Sequence, residues 1–358
     1  MSKFNQNLES PCTPLRLGVI GTGQISQIVL PQLPAARVVV AGLADVQVTA
    51  AHALAEKLGH GQVYESPAAL LACPEIEAVY LATPPVTHRD LVKEALAAGK
   101  HVLCEKPWTL NAAEARALLE TVQQFPALKV GCCSSRFCFS PATATAREVL
   151  RQGTLGKLIR VRLHATGGLP ASIDHLPEWK RNAATAGGGL TVDWCVYELE
   201  WLRSVLGDAF APLDVMANFG FWRREGTSLE SSYYAVIRCA GGLEIVVSRQ
   251  PEIGPRRHAI ELRGKTGGLD LPFAPDHPQR VARLFTLEAD GKTLNSAERG
   301  EPTTDWGGIL YGPLTDLADA IRNDTAPSAT AEGQITVHAV LDAIYTSARE
   351  HRVVPVAL

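Results

Sequence analysis

Residues Leu15 to Ser26 read LRLGVIGTGQIS, a short apolar run that leads into a glycine-rich turn. The apolar run predicts a buried strand over 15–20, and the pattern after the turn predicts a helix over 24–33. Gly21 permits a tight turn, Gly23 lets the backbone approach a pyrophosphate, and Ser26 stands where a third glycine is common. A strand, such a loop and a helix in this order predict the first βαβ unit of a dinucleotide-binding domain.

An acidic residue follows the second predicted strand, which covers 37–44. Asp45 lies 22 residues after Gly23, where a carboxylate can accept hydrogen bonds from an adenosine ribose. The next residues, Val46 and Gln47, supply no cation for a 2′-phosphate, so the sequence predicts NAD as the cofactor in preference to NADP. The alternative is a plain glycine turn with Asp45 capping the following helix.

Strands and helices continue to alternate as far as residue 126. The predicted elements are a helix over 46–58, a strand over 78–82, a helix over 86–98, a strand over 101–104 and a helix over 112–124. Asn111 is expected to cap the last helix, with Glu114 at the capping-box position. Repeated βαβ units with short loops predict a doubly wound parallel sheet, an α/β fold.

Beyond residue 126 the pattern changes, and the domain boundary is placed there, giving domains over 1–126 and 127–358. Strand-like runs joined by turns predict a mostly antiparallel sheet, with Gly241-Gly242 as a hairpin signal. After a strand over 128–133 and a helix over 142–152, these strand-like runs are predicted over 158–166, 212–222, 231–239, 243–249 and 258–263. The later helices are predicted over 190–206, 308–322 and 332–351.

The composition limits the class of protein. The chain has 358 residues, of which 46% are apolar and 20% charged, which excludes an intrinsically disordered or fibrous protein. With 34 basic and 37 acidic side chains the net charge is −3, so nucleic acid is not expected as a partner. No apolar run approaches the ~18 residues of a membrane helix, and residues 1–10 are polar, so a soluble cytoplasmic protein is expected. Eight cysteines without a C-x-x-C pair predict reduced thiols and no metal site.

Short motifs recur along the chain, many at predicted strand ends, where open α/β sheets bind ligands. In order they are Gly21-Thr22-Gly23, Thr83-Pro84-Pro85 with His88, Gly99-Lys100-His101-Val102 before Glu105-Lys106-Pro107, Arg136-Phe137, Gly153-Thr154-Leu155-Gly156, Trp179 with Arg181, and Gly187-Gly188-Gly189 before Asp193. This set resembles the glucose-fructose oxidoreductase, inositol dehydrogenase and rhizopine-catabolism (Gfo/Idh/MocA) family, over nearly the whole chain.

The resemblance implies an N-terminal Rossmann domain and a C-terminal α/β domain with a large open, mostly antiparallel sheet. It also implies dehydrogenase chemistry on sugars or cyclitols and association into homodimers or homotetramers. In the family the lysine of Glu-Lys-Pro lies close to the nicotinamide and the substrate hydroxyl, which here is Lys106. The cofactor site is predicted to comprise Gly21, Thr22, Gly23, Gln24, Ile25, Asp45, Thr83, Pro84, His88, Glu105, Lys106 and Arg136.

A second catalytic segment begins at Asp193. Most relatives show Asp-x-Gly-x-His-x-x-Asp, whereas this chain has Cys195, Tyr197 and Glu200 at the last three of those positions. This pattern with a tyrosine is similar to that of the family branch that contains glucose-fructose oxidoreductase and the dimeric dihydrodiol dehydrogenases. On a helix Asp193 and Tyr197 share one face, so a carboxylate and a phenol can meet a substrate beside Lys106.

The mechanistic hypothesis assigns proton exchange to Tyr197, polarisation of the substrate oxygen to Lys106, and orientation to Asp193. A phenol with a pKa of about 10 needs a nearby cation to exchange protons readily, and Lys106 is expected to be that cation. The alternative for Tyr197 is a core aromatic residue.

Four other residues carry open alternatives. Trp179 and Arg181 are expected to contact the substrate ring, or else to form a surface pair. Arg136 is expected to contact cofactor or a neighbouring subunit, or to form a structural salt bridge, and His88 to approach the nicotinamide or to cap its helix. The basic groups Arg223-Arg224-Glu225 and Arg256-Arg257-His258 are interpreted as solvated charges.

The leading hypothesis is an NAD(P)-dependent dehydrogenase acting on a secondary alcohol, or the corresponding ketone, of a sugar, inositol or related polyol. One alternative is redox-assisted glycoside hydrolysis with tightly held NAD, and another is a non-catalytic NAD-sensing regulator. Intact Glu105-Lys106-Pro107 and Asp193 argue against the regulator, because a sensor has little need of these groups.

Overall fold

A parallel sheet of six strands forms the first half of the fold. The computed structural model describes residues 13–167, 173–221, 229–251, 255–275, 277, 279–288, 290–304 and 306–358. The strands are β1 (Leu15–Ile20), β2 (Val38–Ala44), β3 (Gln62–Val63), β4 (Ala78–Leu81), β5 (His101–Cys104) and β6 (Val130–Cys132). Their spatial order is β3-β2-β1-β4-β5-β6 and every pairing is parallel, which confirms the doubly wound sheet.

Helices cover both faces of this sheet because its strands are apolar on both sides; Leu17, Val19 and Val79 are fully buried. The helices are α1 (Gln24–Val29), α2 (Val48–Leu58), α3 (Pro67–Leu71), α4 (His88–Ala97) and α5 (Ala112–Val122). The predicted cap of α5 is confirmed: the Asn111 side chain accepts a hydrogen bond of 2.9 Å from the Glu114 backbone N–H.

Three features of this half differ from the sequence prediction. The helix that was predicted over 24–33 ends at Val29 and gives way to a 3₁₀ turn over Leu30–Gln32, because Pro31 cannot donate a backbone hydrogen bond. The short elements β3 and α3 were not predicted. The parallel sheet also extends past the proposed boundary at residue 126, because β6 pairs with β5.

The second sheet has nine strands and one face covered by helices. Its strands are β7 (Leu158–Thr166), β8 (Pro212–Phe221), β9 (Glu230–Cys239), β10 (Glu244–Gln250), β11 (Arg257–Gly264), β12 (Gly267–Pro272), β13 (Ala282–Leu287), β14 (Leu294–Arg299) and β15 (Val354–Pro355). Their order is β14-β13-β12-β11-β7-β10-β9-β8-β15, and all pairings are antiparallel except that of β10 with β7. The mostly antiparallel sheet is therefore confirmed, including the β9–β10 hairpin around Gly241-Gly242.

The last helices are α6 (Pro141–Arg151), α7 (Ala183–Ala186), α8 (Leu190–Leu206), α9 (Gly307–Arg322) and α10 (Ala331–Glu350). Helices α6, α8 and α10 pack on the nine-stranded sheet, whereas α9 returns to the first sheet. Leu314 and Leu317 of α9 share a core cluster with Leu17 and Val19, which ties the two halves together.

Strands β12 to β15 were not predicted, because their sequences are short or polar; all six residues of β14 are exposed. Trp222, Arg223, Arg224 and Glu225 lie outside the described residues. Among the helices that the structure describes, none is both long enough and apolar enough to cross a bilayer.

Candidate active site

A large cavity lies between the two halves of the fold. Its volume is about 1140 Å³, which exceeds the ~300–1000 Å³ of a typical site for one small ligand. One side is formed by loops after β1, β2, β4 and β5, and the other by α8 and the ends of β7, β10 and β11. Ligands bind at the carboxyl ends of strands in open α/β sheets, and the cavity lies at that edge.

The glycine-rich loop after β1 passes very close to the end of β4. Gly21 has a φ of +96°, and a Cβ at this position would lie 2.5 Å from the carbonyl oxygen of Ala82, so a side chain cannot be accommodated. A Cβ at Gly23 would meet no atom within 4 Å, which leaves this backbone open to a ligand. Ser26 compensates for the missing third glycine by donating a hydrogen bond of 2.7 Å to the Gly21 carbonyl.

Asp45 fastens this loop to the end of β2. Its Oδ2 accepts hydrogen bonds from the Thr22 backbone N–H at 2.7 Å and from the Thr22 hydroxyl at 3.0 Å. Its Oδ1 accepts from the backbone N–H of Gln47 at 2.8 Å. Asp45, Gln24 and Ile25 line the cavity, whereas Thr22 is buried beneath it.

His88 joins two loops and does not line the cavity. Its Nδ1 lies 2.8 Å from the carbonyl oxygen of Pro107, and its Nε2 lies 2.9 Å from that of Thr83. The side chain is fully buried and makes no capping contact to its own helix. Both sequence-based interpretations of His88 are therefore corrected: it holds the loops after β4 and β5 together, while Thr83 and Pro84 face the cavity.

A buried ion pair lies under the end of β5. Arg136 follows β6 in a 3₁₀ turn and contacts both carboxylate oxygens of Glu105, with an Nη1–Oε2 distance of 3.0 Å. Tyr80 donates a hydrogen bond of 2.5 Å to the same carboxylate. Burial alone would raise the pKa of Glu105, but the charge of Arg136 outweighs it and lowers the pKa to about 2. The structural salt bridge considered for Arg136 is thus present within the chain.

The start of α8 is fixed by the glycine triplet before it. At Gly188, with a φ of +156°, a Cβ would lie 1.9 Å from the Tyr345 hydroxyl oxygen, so only glycine fits. The Gly189 backbone N–H donates to Glu230 at 2.9 Å, and Tyr345 donates to the same carboxylate at 2.5 Å. These contacts place Asp193 in the first helical turn, where a negative charge is favourable.

Asp193 binds two lysines. Lys106 donates from Nζ to Asp193 Oδ1 and to its backbone oxygen, both at 2.6 Å, and Lys180 donates to Oδ1 at 3.1 Å. Burial opposes ionisation of Asp193, but the charges of Lys106 and Lys180 prevail and hold its pKa well below the usual range. An ammonium has three N–H donors, so two described bonds leave one donor of Lys106 for a ligand.

Tyr197 lies four residues after Asp193 and faces the same cavity. Its hydroxyl accepts a hydrogen bond of 3.0 Å from Arg136 Nη1, whereas Lys106 Nζ lies over its ring, 4.9 Å from the centroid. The expectation that Lys106 is the cation at the phenol oxygen is therefore corrected in favour of Arg136. Burial raises the pKa of Tyr197 in spite of this cation, so the phenol stays protonated at neutral pH.

Sequence reasoning chose two residues of the 3₁₀ turn Glu178–Arg181 and passed over the one between them. Trp179 lines the cavity, but Arg181 is exposed and not part of the lining formed by the described residues. Lys180 both lines the cavity and reaches Asp193. No spacing rule would have identified it, because the turn is irregular.

Sequence reasoning also missed three residues that line the cavity, namely Trp194 on α8, Arg249 on β10 and Trp306 immediately before α9. His258 is only 5% exposed and lines the cavity, so its interpretation as a solvated charge was wrong. The seven cysteines that the structure describes form no disulfide. Across the part of the chain that the structure describes, no group of three or more His, Cys, Asp or Glu side chains could hold a metal ion.

Two family models match the chain. The model described as an oxidoreductase family with an NAD-binding Rossmann fold matches residues 15–129, and the GFO/IDH/MocA C-terminal domain matches residues 143–270. The chain is 35% identical over 196 residues to trans-1,2-dihydrobenzene-1,2-diol dehydrogenase of Mus musculus, covering 54% of this chain and 56% of that protein. It is 32% identical over 232 residues to the Bos taurus enzyme of the same name, covering 64% and 66%. These matches span less than two thirds of either relative.

A longer match is to 1,5-anhydro-D-fructose reductase of Ensifer adhaerens, at 29% identity over 326 residues, 88% of this chain and 91% of that protein. Among solved structures, a levoglucosan dehydrogenase in complex with NADH and levoglucosan superimposes with a TM-score of 0.85 at 20% identity. It covers 96% of this chain and 100% of that chain, and at this identity the likeness concerns the fold.

Proposed function

The chain belongs to the GFO/IDH/MocA family of NAD-binding oxidoreductases, and from that premise we propose that it is an NAD(P)-dependent dehydrogenase. The substrate is a secondary alcohol, or the corresponding ketone, of a sugar, inositol or related polyol. The observation that carries this proposal is the meeting of Lys106, Asp193 and Tyr197 in one cavity with the glycine-rich loop.

The residues of the first domain fit a dinucleotide. The open backbone at Gly23 suits a pyrophosphate, and Asp45 at the end of β2 suits the hydroxyls of a ribose. A bound nicotinamide cofactor supplies or accepts the hydride. NAD is proposed as the preferred cofactor because the carboxylate of Asp45 would repel a 2′-phosphate, and neither Val46 nor Gln47 offers a counter-charge.

Lys106, Tyr197 and Asp193 have different roles at the substrate oxygen. The third N–H donor of Lys106 polarises that oxygen, and Asp193 keeps the ammonium in place through two short contacts. Arg136 donates to the Tyr197 oxygen, which leaves the phenol proton to point at the substrate. Because the phenol is protonated at neutral pH, Tyr197 donates a proton during ketone reduction and recovers it during alcohol oxidation.

The test uses purified protein with NAD and NADP in separate reactions and a panel of inositols, aldoses, cyclic diols and aryl glycosides. Reduced nicotinamide is followed by absorbance and released aglycone is measured independently. Nucleotide reduction supports the dehydrogenase, whereas aglycone release without net reduction contradicts it in favour of hydrolysis. NADH binding with neither product contradicts it in favour of a regulator.

Lys106→Met provides the control on chemistry. We expect a loss of kcat of about 10²-fold or more, with NADH affinity retained because the glycine-rich loop is untouched. The matched variant is Lys157→Met, which changes an exposed lysine next to β7. Turnover by Lys106→Met equal to that of Lys157→Met would remove Lys106 from the mechanism.

A homodimer or homotetramer in the cytoplasm is also proposed. The uncovered face of the nine-stranded sheet carries exposed apolar side chains, among them Met216 on β8 and Tyr234 on β9. Such a face favours association with a second copy. Light scattering on the purified protein tests this, and a monomer at micromolar concentration would contradict it.

A further inference from the structure

Basic residues line the end of the cavity beyond Asp193. We call Lys180, Arg249 and Arg256 the cationic wall; all three line the cavity. None of them takes part in the hydride and proton transfer proposed above.

Strand register places the central member of this wall. Arg249 on β10 pairs with Ala165 on β7, which pairs with His258 on β11, so the three side chains share one face of the sheet. Ala165 and His258 are buried on the face covered by α8, so Arg249 projects to the same side. Arg256 lies immediately before β11, two residues ahead of His258, and also lines the cavity.

Arg249 is held in one position before any ligand arrives. Its guanidinium carbon lies 3.9 Å from the ring centroid of Trp194, and its Nη2 lies 3.0 Å from His258 Nε2. Burial above all keeps the pKa of His258 well below its usual value, so this ring is neutral and accepts the bond. The buried Nε of Arg249 has no hydrogen-bond partner among the described residues.

Within the described residues, the acidic groups beside Lys180 and Arg249 do not fully neutralise these two cations. Asp193 is shared by Lys106 and Lys180, and Glu105 is occupied by Arg136. The acid nearest to Arg249 is Glu198, which lies behind it with an Nη2–Oε1 distance of 3.5 Å. That Oε1 atom is fully buried and makes no hydrogen bond within the described part of the chain.

We infer that the cationic wall is a subsite for an oxyanion, so that the substrate of the proposed dehydrogenase is a sugar or polyol carrying a carboxylate or a phosphate away from its reacting carbon. A guanidinium that lines the cavity with its plane held over Trp194 suits such a group, because it can form charge-assisted hydrogen bonds at low entropic cost. This inference rests on the proposed function for the reacting carbon and names the class of its substrate.

Glu198 gives the subsite a pH dependence. It faces Tyr233 of β9, Arg249 of β10 and His258 of β11, and its Oε2 accepts a hydrogen bond of 2.7 Å from Tyr233. Burial raises the pKa of Glu198 to about 7 against the opposing effect of Arg249. Ionised Glu198 competes with a bound oxyanion for Arg249, so oxyanion binding weakens as the pH rises through neutrality.

The experiment compares neutral sugars with acidic sugars that differ from them only in the group on one carbon atom. Calorimetric titration of the protein, with and without NADH, uses D-glucose, D-glucuronate and D-glucose 6-phosphate, and the corresponding galactose series. We expect one acidic member to bind at least about tenfold more tightly than its neutral parent. Comparison of the titrations with the carboxylate sugars and the phosphate sugars identifies which oxyanion the cationic wall binds.

Variants connect this preference to the wall. Arg249→Gln should reduce the preference to about twofold or less, and Arg256→Gln, at an exposed position, should weaken it even if Arg249→Gln fails to fold. Glu198→Gln should remove the difference in affinity between about pH 6 and about pH 8. Arg151→Gln, at an exposed arginine on α6, should leave binding unchanged.

The subsite is refuted if acidic and neutral sugars bind equally, if no acidic sugar binds, or if the preference persists in both arginine variants. The proposed function fails separately, through absent nucleotide reduction or an inert Lys106→Met substitution. If wild type and Arg249→Gln oxidised a neutral sugar equally well, the result would support the dehydrogenase function and refute the oxyanion subsite.

Discussion

We expect the buried pair of Glu105 and Arg136 to be one of the most strongly coupled ion pairs among the described residues. Their side chains are 7% and 3% exposed, and the pKa of Glu105 falls from 4.5 to about 2 in the folded state. That shift corresponds to roughly 3 kcal/mol of stabilisation at neutral pH. Removing one partner of a buried pair costs about 3–5 kcal/mol, because the other charge is left without compensation.

Each single change, Glu105→Gln or Arg136→Met, is therefore expected to lower the free energy of unfolding by about 3 kcal/mol. The double variant should lose less than the sum of the two, because it leaves no unpaired charge, and the difference measures the coupling. Urea unfolding near pH 7, followed by circular dichroism, provides the four values. An exposed pair, Arg160 with Glu244 at 2.7 Å, serves as the control and should show a coupling below about 1 kcal/mol.

The sign of the pH dependence follows from the lowered pKa of Glu105. Its stabilisation is fully present above the unfolded value of 4.5 and is lost as the pH falls through the folded value of about 2. Wild type should thus retain this contribution at mildly acidic pH. Additive effects of the two substitutions, within roughly 0.5 kcal/mol, would refute the coupling.

Three further predictions concern the site. Tyr197→Phe should lower kcat by about 10²-fold or more for both ketone reduction and alcohol oxidation. Because burial raises the pKa of Tyr197, alcohol oxidation by the wild type should accelerate towards alkaline pH. A rate of alcohol oxidation that does not change with pH would contradict the role of Tyr197. Lys180→Met should raise KM by about tenfold while kcat changes little, since Lys106 still pairs with Asp193, and steady-state kinetics separates the two. Asp45→Ser should reduce the kcat/KM ratio of NAD to NADP by about tenfold or more, and an unchanged ratio would show that Asp45 serves only to hold Thr22.

Local patterns predicted what depends on neighbours along the chain. The glycine-rich loop, the cap at Asn111 and the shared helical face of Asp193 and Tyr197 follow from spacing alone. The edge strands were missed because β14 is exposed throughout and carries no apolar alternation. The role of His88 was missed because its two partners, Thr83 and Pro107, are backbone carbonyls that no side-chain pattern reveals.

The sequence by itself determined the individual strands and helices of the first half, the dinucleotide loop and the shared helical face of Asp193 and Tyr197, because each of these depends on residues only a few positions apart. Only the tertiary structure decided which charges meet. Arg136, rather than Lys106, reaches the Tyr197 oxygen, and Arg249 comes beside His258 through strand pairing across the second sheet. The physical reason is that Coulomb interactions and hydrogen bonds act over a few ångströms in space, whereas the partners lie 61 residues apart in the first case.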